Sequence, residues 1–454
     1  MNGIFFALVC LAFAVGAGRE LFGFAAEADM APMQALTAAV IDGAGSAVHL
    51  AINLIGVMAL FLGVMKVAEA AGVLVIIARL VRPLMTRLFP DVPAAHPAMG
   101  AMILNISANI LGLGNAATPF GIRAMQELDR LNTVKGTASN AMVLFLAINT
   151  SSVTLLPTGV ISLRAAAGSL DPAGIVPTTL FATICSTAVA IVMAKLTQRY
   201  WPTTPADGAA APVAAPASPP NVPATGRDDT AAEAGFETTA GAERAGSADA
   251  ERIGDGYHPA ASFAALAGVV ALIPLSVIYG RAVAPWIIPG LIVVLLGFGA
   301  VRRVRIYEVF IEGARDGFQV AIRIIPYLVA ILVAVAMFRA SGALALIVTP
   351  LGQLTGPLGL PAEALPMALL RPLSGSGAYG VLASIINDPA IGPDSYTGYL
   401  ASTIQGSTET TFYVLAVYFG AVGIRRIRHA IVTALTADAA GVAAAVLICR
   451  ILHG

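Results

Sequence analysis

Charge is what this chain has least of. Asp, Glu, Lys and Arg make up 11% of its 454 residues, the two signs cancel to a formal net charge of zero, and 57% of residues are hydrophobic. An ordinary soluble domain carries about 25% charged residues, so a water-soluble fold is excluded and a multi-pass protein of the lipid bilayer is expected. Without an excess of Lys and Arg the chain has no electrostatic footprint for phosphates, and no nucleic-acid partner is expected. Cysteine is scarce too. Cys10, Cys185 and Cys449 each stand alone in an apolar run, which excludes a disulfide or metal framework. The five histidines lack metal-ligand spacing. Gly-rich phosphate loops, nucleophile elbows and HExxH helices are missing as well, so no metal, no cofactor and no enzymatic activity are expected.

What is present is a set of polar groups inside apolar runs. His96 to Pro119 reads HPAMGAMILNISANILGLGNAATP, a run interrupted by Asn105, Asn109 and a Gly-Leu-Gly-Asn break ending at Asn115. An unpaired backbone group costs several kcal/mol in hydrocarbon, so broken helix survives at membrane depth only where protein or a water-filled cavity covers it. The stretch is therefore expected to be a re-entrant helical hairpin with Asn105 and Asn109 on one face. Two readings of the amides stand side by side: they bind a solute, as in transporters with discontinuous helices, or they bond neighbouring helices as packing glue.

In chain order, Ile4–Val15 is expected to be a first membrane helix, since no positive charge precedes it and no clean cleavage site follows. A long apolar run from Leu54 to Ile77 carries Lys66 and Glu69 and is closed by Arg79, Arg82 and Arg87. The hairpin follows. A run from Ala141 to Leu163 is interrupted at Asn149, Thr150, Ser151 and Pro157, which marks a broken helix, and Thr178 to Ala194 completes a first membrane half over residues 1–201. Residues 202–257 are rich in Ala, Pro, Gly, Thr and acidic residues and are expected to be a disordered tether. The second half, 258–454, opens with two expected helices, Phe263–Ile278 and Trp286–Val301, joined by a turn at Gly280-Arg281. Ile324 to Ala340, a hairpin-like Pro361 to Ile385, a polar loop whose Asp388 and Asp394 are expected to be solvated, a Ser/Thr-rich run and Ile431 to Ile451 follow.

The halves are copies. Ile41-Asp42-Gly43-Ala44 recurs 270 residues on as Ile311-Glu312-Gly313-Ala314, Ala51-Ile52 recurs as Ala321-Ile322, and Gly72 as Gly342. The interruption at Asn149 has its partner in Gln405-Gly-Ser407-Thr408-Glu409-Thr. Lys and Arg favour the cytoplasmic side of short loops. With the N-terminus cytoplasmic, the basic clusters around Arg79, Arg123, Lys195, Arg302 and Arg425 and the tether all fall inside, leaving Arg19, Arg164, Arg281 and Arg450 outside. The repeats then have inverted topology, the arrangement that lets one midplane site face alternate sides.

The second hairpin carries Arg371-Pro-Leu-Ser374-Gly-Ser376. Pro372 removes a backbone donor, and Arg371 at membrane depth needs a partner, for which Glu409 is the candidate. A buried structural pair is the rival account of these two. Lys66 and Glu69 are expected to pair locally on their helix.

NISANILGLGNAATPFGIRAM in the first half, with RPLSGSGAYG and STIQGSTETTFYVLAVYFGAVG in the second, resembles the nucleoside-recognition or Gate domain family, as a fusion of its spore maturation A-like and B-like branches. The same domain is similar to parts of concentrative nucleoside transporters and of the ferrous-iron transporter B, a likeness that implies a permeation site made of polar hairpins and broken helices. The expected fold is all-α and polytopic, with two inverted Gate-type repeats, each holding a re-entrant hairpin and a broken helix. The expected site takes in Asn105, Asn109, Asn115, Asn149, Ser151, Arg371, Ser374, Ser376, Gln405, Ser407, Thr408 and Glu409. The leading expectation is an inner-membrane permease for a small polar, anionic or nucleoside-like solute. The alternative is a membrane scaffold for envelope or peptidoglycan remodelling, and homo-oligomerisation is left open.

Overall fold

The computed structural model describes residues 2–22, 31–201 and 257–454, so the tether, apart from Tyr257, and the side chain of Asn115 lie outside the described residues. Those described form helices, connecting turns and one isolated β-bridge, Thr137 to Arg426. The first half comprises α1 (Asn2–Leu21), α2 (Pro32–Ala70), α3 (Val73–Leu88), α4 (Pro97–Ile110), α5 (Gly114–Leu131), α6 (Asn140–Thr150), α7 (Thr158–Ala166) and α8 (Ile175–Thr197). The second comprises α9 (Pro259–Val301), α10 (Ile306–Ala340), α11 (Ala343–Thr355), α12 (Leu365–Leu370), α13 (Gly375–Ile386), α14 (Tyr396–Ser407), α15 (Thr411–Gly420) and α16 (Ala430–His453). Pro32–Ala70, Pro172–Tyr200 and Ala430–His453 are long and apolar enough to cross a bilayer.

The sequence repeat is a spatial one. A 39-residue α2 lies antiparallel to a 35-residue α10. Their contact depends on glycine: a Cβ on Gly43 would lie 3.2 Å from that of Ala336, and one on Gly313 would lie 2.5 Å from that of Lys66. Residue 313 is 43 displaced by 270, and 336 is 66 displaced by the same 270, so the two contacts exchange under a pseudo-twofold rotation. The repeats are inverted.

The apolar run Leu54 to Ile77 is not one helix. It divides at Gly72, whose φ of +87° matches the +82° of Gly342 at the repeat position. Glycine takes this left-handed geometry without the steric cost a Cβ brings. Each long helix therefore stops and restarts in a new direction, as α3 and α11.

The 43 residues of α9 are helical throughout, where two helices with a turn at Gly280-Arg281 were expected. Its ends nonetheless meet the same neighbour. Tyr257 N donates to Arg79 O at 3.3 Å, and Arg302 Nε donates to Ala71 O at 3.1 Å. A straight helix of that length would extend about 65 Å, whereas eight helical residues span about 12 Å, so α9 doubles back between its ends. The return that the sequence implies is made by a bend within one helical element.

Both hairpin stretches form paired helices, and both long helices are broken. α4 and α5 pack together across a tight turn in which a Cβ on Gly112 (φ +79°) would strike Leu156 O. α12 and α13 meet at Ser374, whose hydroxyl accepts from Gly377 N. The broken helices start at serine N-caps, Ser139 accepting from Met142 N and Ser395 from Gly398 N, a device that satisfies a free helix-terminal donor. They break after Thr150 and Ser407 and resume as α7 and α15.

Each half completes the other's core. Met99, Met102, Leu104 and Phe145 of the first half bury Leu415, Tyr418 and Phe419 from α15. Met367, Leu382 and Ile404 of the second bury Val160, Ile161 and Leu163 from α7.

Candidate functional site

The first hairpin and the first broken helix bring three predicted asparagines together. Asn149 donates to Asn105 Oδ1 at 2.7 Å, Asn109 donates to Asn149 Oδ1 at 3.0 Å, and Asn105 donates to Ala117 O at 2.7 Å. Tyr418, from the second broken helix, closes the network. It accepts from Asn105 at 3.2 Å, donates to Asn149 Oδ1 at 3.3 Å and stacks on Phe145 at 6.2 Å between centroids. All three asparagines are buried. Gly121 makes room for this tyrosine, since a Cβ there would lie 2.1 Å from its hydroxyl.

A second polar group forms around Arg371, which is 6% exposed. Its guanidinium donates to the carbonyl oxygen of Thr408 and, at 3.2 Å, to Thr410 Oγ1, and its Nη2 lies 3.6 Å from Glu409 Oε2. The predicted pair is there, but it is lopsided: the Glu409 side chain is 46% exposed, so the buried bonds of Arg371 run to the break in the helix and not to the carboxylate. The two groups touch through the main chain. Glu409 N donates to Thr150 O at 2.7 Å, joining the break in one half to the break in the other.

Other predicted residues play smaller parts. Ser151 Oγ and Ser407 Oγ bond back to Ala147 O (2.7 Å) and Ile404 O (2.9 Å) of their own helices, while the main-chain oxygen of Ser151 accepts from Thr187. Gln405 is buried beside Tyr379, and Ser376 is half-buried on the first turn of α13. Two residues of the site were not anticipated, Tyr418 and Asp438. Asp438 accepts from Thr411 Oγ1 at 2.7 Å and is buried on α16. The signal for it was a single carboxylate within the apolar run Ile431 to Ile451.

Clasps join the halves at either end of the site. Arg164, fully buried, donates to Pro393 O at 2.6 Å and to Asp394 Oδ1 at 3.0 Å, with its guanidinium 4.2 Å from the centre of the Tyr399 ring. Asp388 accepts from Arg339 at 2.5 Å. The two aspartates expected to be solvated stay partly exposed, and chain folding brings each a guanidinium that the sequence did not indicate. Burial, against the pull of Arg164, holds the Asp171 carboxyl above its usual range. At the opposite end Arg428 donates to Ala138 O at 3.0 Å and Asn140 Oδ1 at 2.8 Å. Its neighbour His429 is buried and pushed down to about 4, first by desolvation and then by the Arg428 charge. Lys66 pairs with Glu69 at 3.8 Å, as expected, and also with Glu312 of the other half at 3.7 Å.

Fold and site together define an all-α membrane protein of two inverted repeats, with buried polar groups at the breaks in its helices. A family model described as Gate, nucleoside recognition, matches residues 51–167 and again 321–425, two regions that begin 270 residues apart. Spore maturation protein B of Bacillus subtilis (strain 168) is 47% identical over 167 residues, 37% of this chain and 93% of that protein. Spore maturation protein A of the same organism is 45% identical over 161 residues, 36% of this chain and 82% of that protein. No solved structure matches. The chain belongs to the Gate (nucleoside recognition) family and carries two copies of its domain.

Proposed function

We propose that the protein is an inner-membrane permease for a small polar solute, that it performs no chemistry on that solute, and that Arg371 selects an anionic group on it. The observation that carries this reading is the Glu409 N to Thr150 O bond, which places the breaks of both helices, and with them Arg371 and the asparagine network, at one locus. Polar groups at membrane depth are costly and mark solute or ion pathways by default. Asn105, Asn109, Asn149 and Tyr418 satisfy one another here, so a solute entering this locus would exchange those bonds for its own. Such an exchange is nearly neutral in free energy, since each buried donor and acceptor stays paired. The partners are then the lipid bilayer and the solute, with no nucleic acid; self-association is the remaining contact proposed.

The proposed orientation follows the basic residues: tether and Arg303 loop cytoplasmic, Asp394 loop and Gly454 on the other face. Single-cysteine labelling at residues 235 and 394, in a background without Cys10, Cys185 and Cys449, tests it. Labelling from the same side would overturn the orientation.

A second reading, a scaffold for cell-envelope remodelling, is favoured by the names of the spore maturation relatives and by the closure of the asparagine network on itself. A thermal-shift screen of the purified protein against anionic and nucleoside-like solutes, followed by uptake into proteoliposomes, separates the two. Arg371→Lys is expected to keep the melting temperature and lose uptake, because an ammonium lacks the planar fork that grips an anion at two points. No shift with any solute, together with full biological function of Arg371→Lys, would move the assignment to the scaffold.

A further inference from the structure

Asp438 lies on α16 at 5% exposure, in a segment long and apolar enough to span the bilayer. One carboxylate oxygen accepts the Thr411 hydroxyl at 2.7 Å, and the other, also buried, has no hydrogen-bond partner among the described residues. Thr411 is the first residue of α15, so the carboxylate faces the helix where it resumes after the break. Gly441, one turn further along α16, lets the break approach closely; a Cβ there would lie 2.9 Å from the Thr408 methyl.

Arg371 reaches Asp438 through the helix break and not by a direct ion pair: it donates to Thr410 Oγ1, and the next residue, Thr411, donates to Asp438, while the guanidinium Nε is buried with no partner among the described residues. The guanidinium thus pairs with Glu409, which is half-exposed and solvated, and attracts the buried Asp438 from beyond contact distance. The helices packed on α16 bring little else that is charged or titratable. From α8 come Cys185, next to Ser186 whose hydroxyl donates to Ala437 O, and Lys195; from α14 come Tyr396 and Tyr399; from α15 come Tyr413 and Tyr418; α6 has none; and α16 itself carries Cys449, Arg450 and His453 near its far end, with Arg428 and His429 just before it. A buried carboxylate deprived of its cation is costly, and a proton removes that cost.

We propose that Asp438 is the proton-carrying group of this site: when an anionic solute takes the Arg371 guanidinium, a hydronium ion of the aqueous phase transfers its proton to the unpartnered oxygen of Asp438, and solute and proton cross together. The step breaks one O–H bond of hydronium, which leaves as water, forms one O–H bond on Asp438 and makes the carboxyl neutral, with the same Thr411 hydroxyl still donating to it. Binding linkage is reciprocal, so protonation strengthens anion binding by the factor by which the anion strengthens protonation. The inference rests on the transport reading of Arg371.

The test is an infrared pH titration of the full chain in nanodiscs, which needs no solute. The wild type is expected to gain a protonated-carboxyl band on acidification, lost in Asp438→Asn and returned at a displaced frequency in Asp438→Glu. Arg371→Gln is expected to move the midpoint of that band by about one pH unit or more, because the guanidinium no longer competes with the proton. Identical spectra for wild type and Asp438→Asn, each with a wild-type melting temperature, would overturn the proposal. So would suppression of the band at constant pH when sodium replaces choline, which would make the occupant a metal cation. If solutes bind in the thermal screen and Asp438 does not titrate, this inference fails alone. If Asp438 titrates and no solute binds, the transport reading fails and the coupling with it.

Discussion

Arg302 donates its Nε to the carbonyl oxygen of Ala71 at 3.1 Å, capping the end of α2 just before the left-handed Gly72. Its counterpart is Arg19, which donates to Ser341 O at 3.2 Å just before Gly342. Ala71 and Ser341 are 270 apart, so each half's leading helix caps the long helix of the other half. The exchange ties the inverted copies into one body through free carbonyls that a helix end otherwise leaves to water.

Arg19→Met and Arg302→Met should therefore have similar effects, each lowering stability by about 1 kcal/mol, the worth of one partly exposed hydrogen bond. The sites are far apart, so the double variant should add to within about 0.5 kcal/mol. Unfolding followed in mild detergent for the three variants checks both statements; a loss confined to one arginine would show that the pseudo-symmetry is not energetic.

Removing the two members of the Arg371–Glu409 pair should have unequal effects. Arg371→Met leaves Thr408 O and Thr410 Oγ1 without their donor and Glu409 without its partner, and should cost about 3 to 5 kcal/mol, the scale for breaking a buried charged network. Glu409→Gln should cost less than about 1 kcal/mol, because that carboxylate is half-exposed and its attraction is screened. Equal melting-temperature losses would mean that the ion pair itself, and not the bonds to the helix break, holds Arg371.

The Arg164 clasp should behave in the same asymmetric way. Arg164→Met should destabilise by about 3 kcal/mol or more, since it strips Pro393 O, Asp171 O and Ser402 Oγ of their shared donor. Asp394→Asn keeps the shape of an acceptor and should cost about 1 kcal/mol. Limited proteolysis in the loop between residues 387 and 395, with melting curves, reads the loosening directly.

His429 should make stability fall on acidification. Its folded value is depressed to about 4, against about 6.5 for a free imidazole, so the unfolded chain binds the proton first. Its stabilising contribution is complete above about 6.5 and is lost as pH drops towards about 4. His429→Gln should flatten the melting temperature across that interval; an unchanged slope would place the dependence on another group.

Much of this fold is legible in the chain alone, and the reason is locality. Low charge and long apolar runs dictate a membrane solvent, and the matches from Asp42-Gly43 to Glu312-Gly313 and from Asn149 to Gln405 declare two copies and their broken helices. Those signals need only composition, spacing and the cost of unpaired backbone in lipid. The end of α2 was different. Gly72 sits between apolar stretches that read as one continuous run, and nothing in the local sequence distinguishes a left-handed glycine from one that continues a helix. The partners of Asp394 and Asp388, the closing of the asparagine network by Tyr418 and the meeting of Asp438 with Thr411 were beyond the sequence as well. Each joins elements distant along the chain, and several join opposite halves. Only the antiparallel packing of α2 on α10, and the burial of each half's broken helix in the other half's core, decide which of them meet.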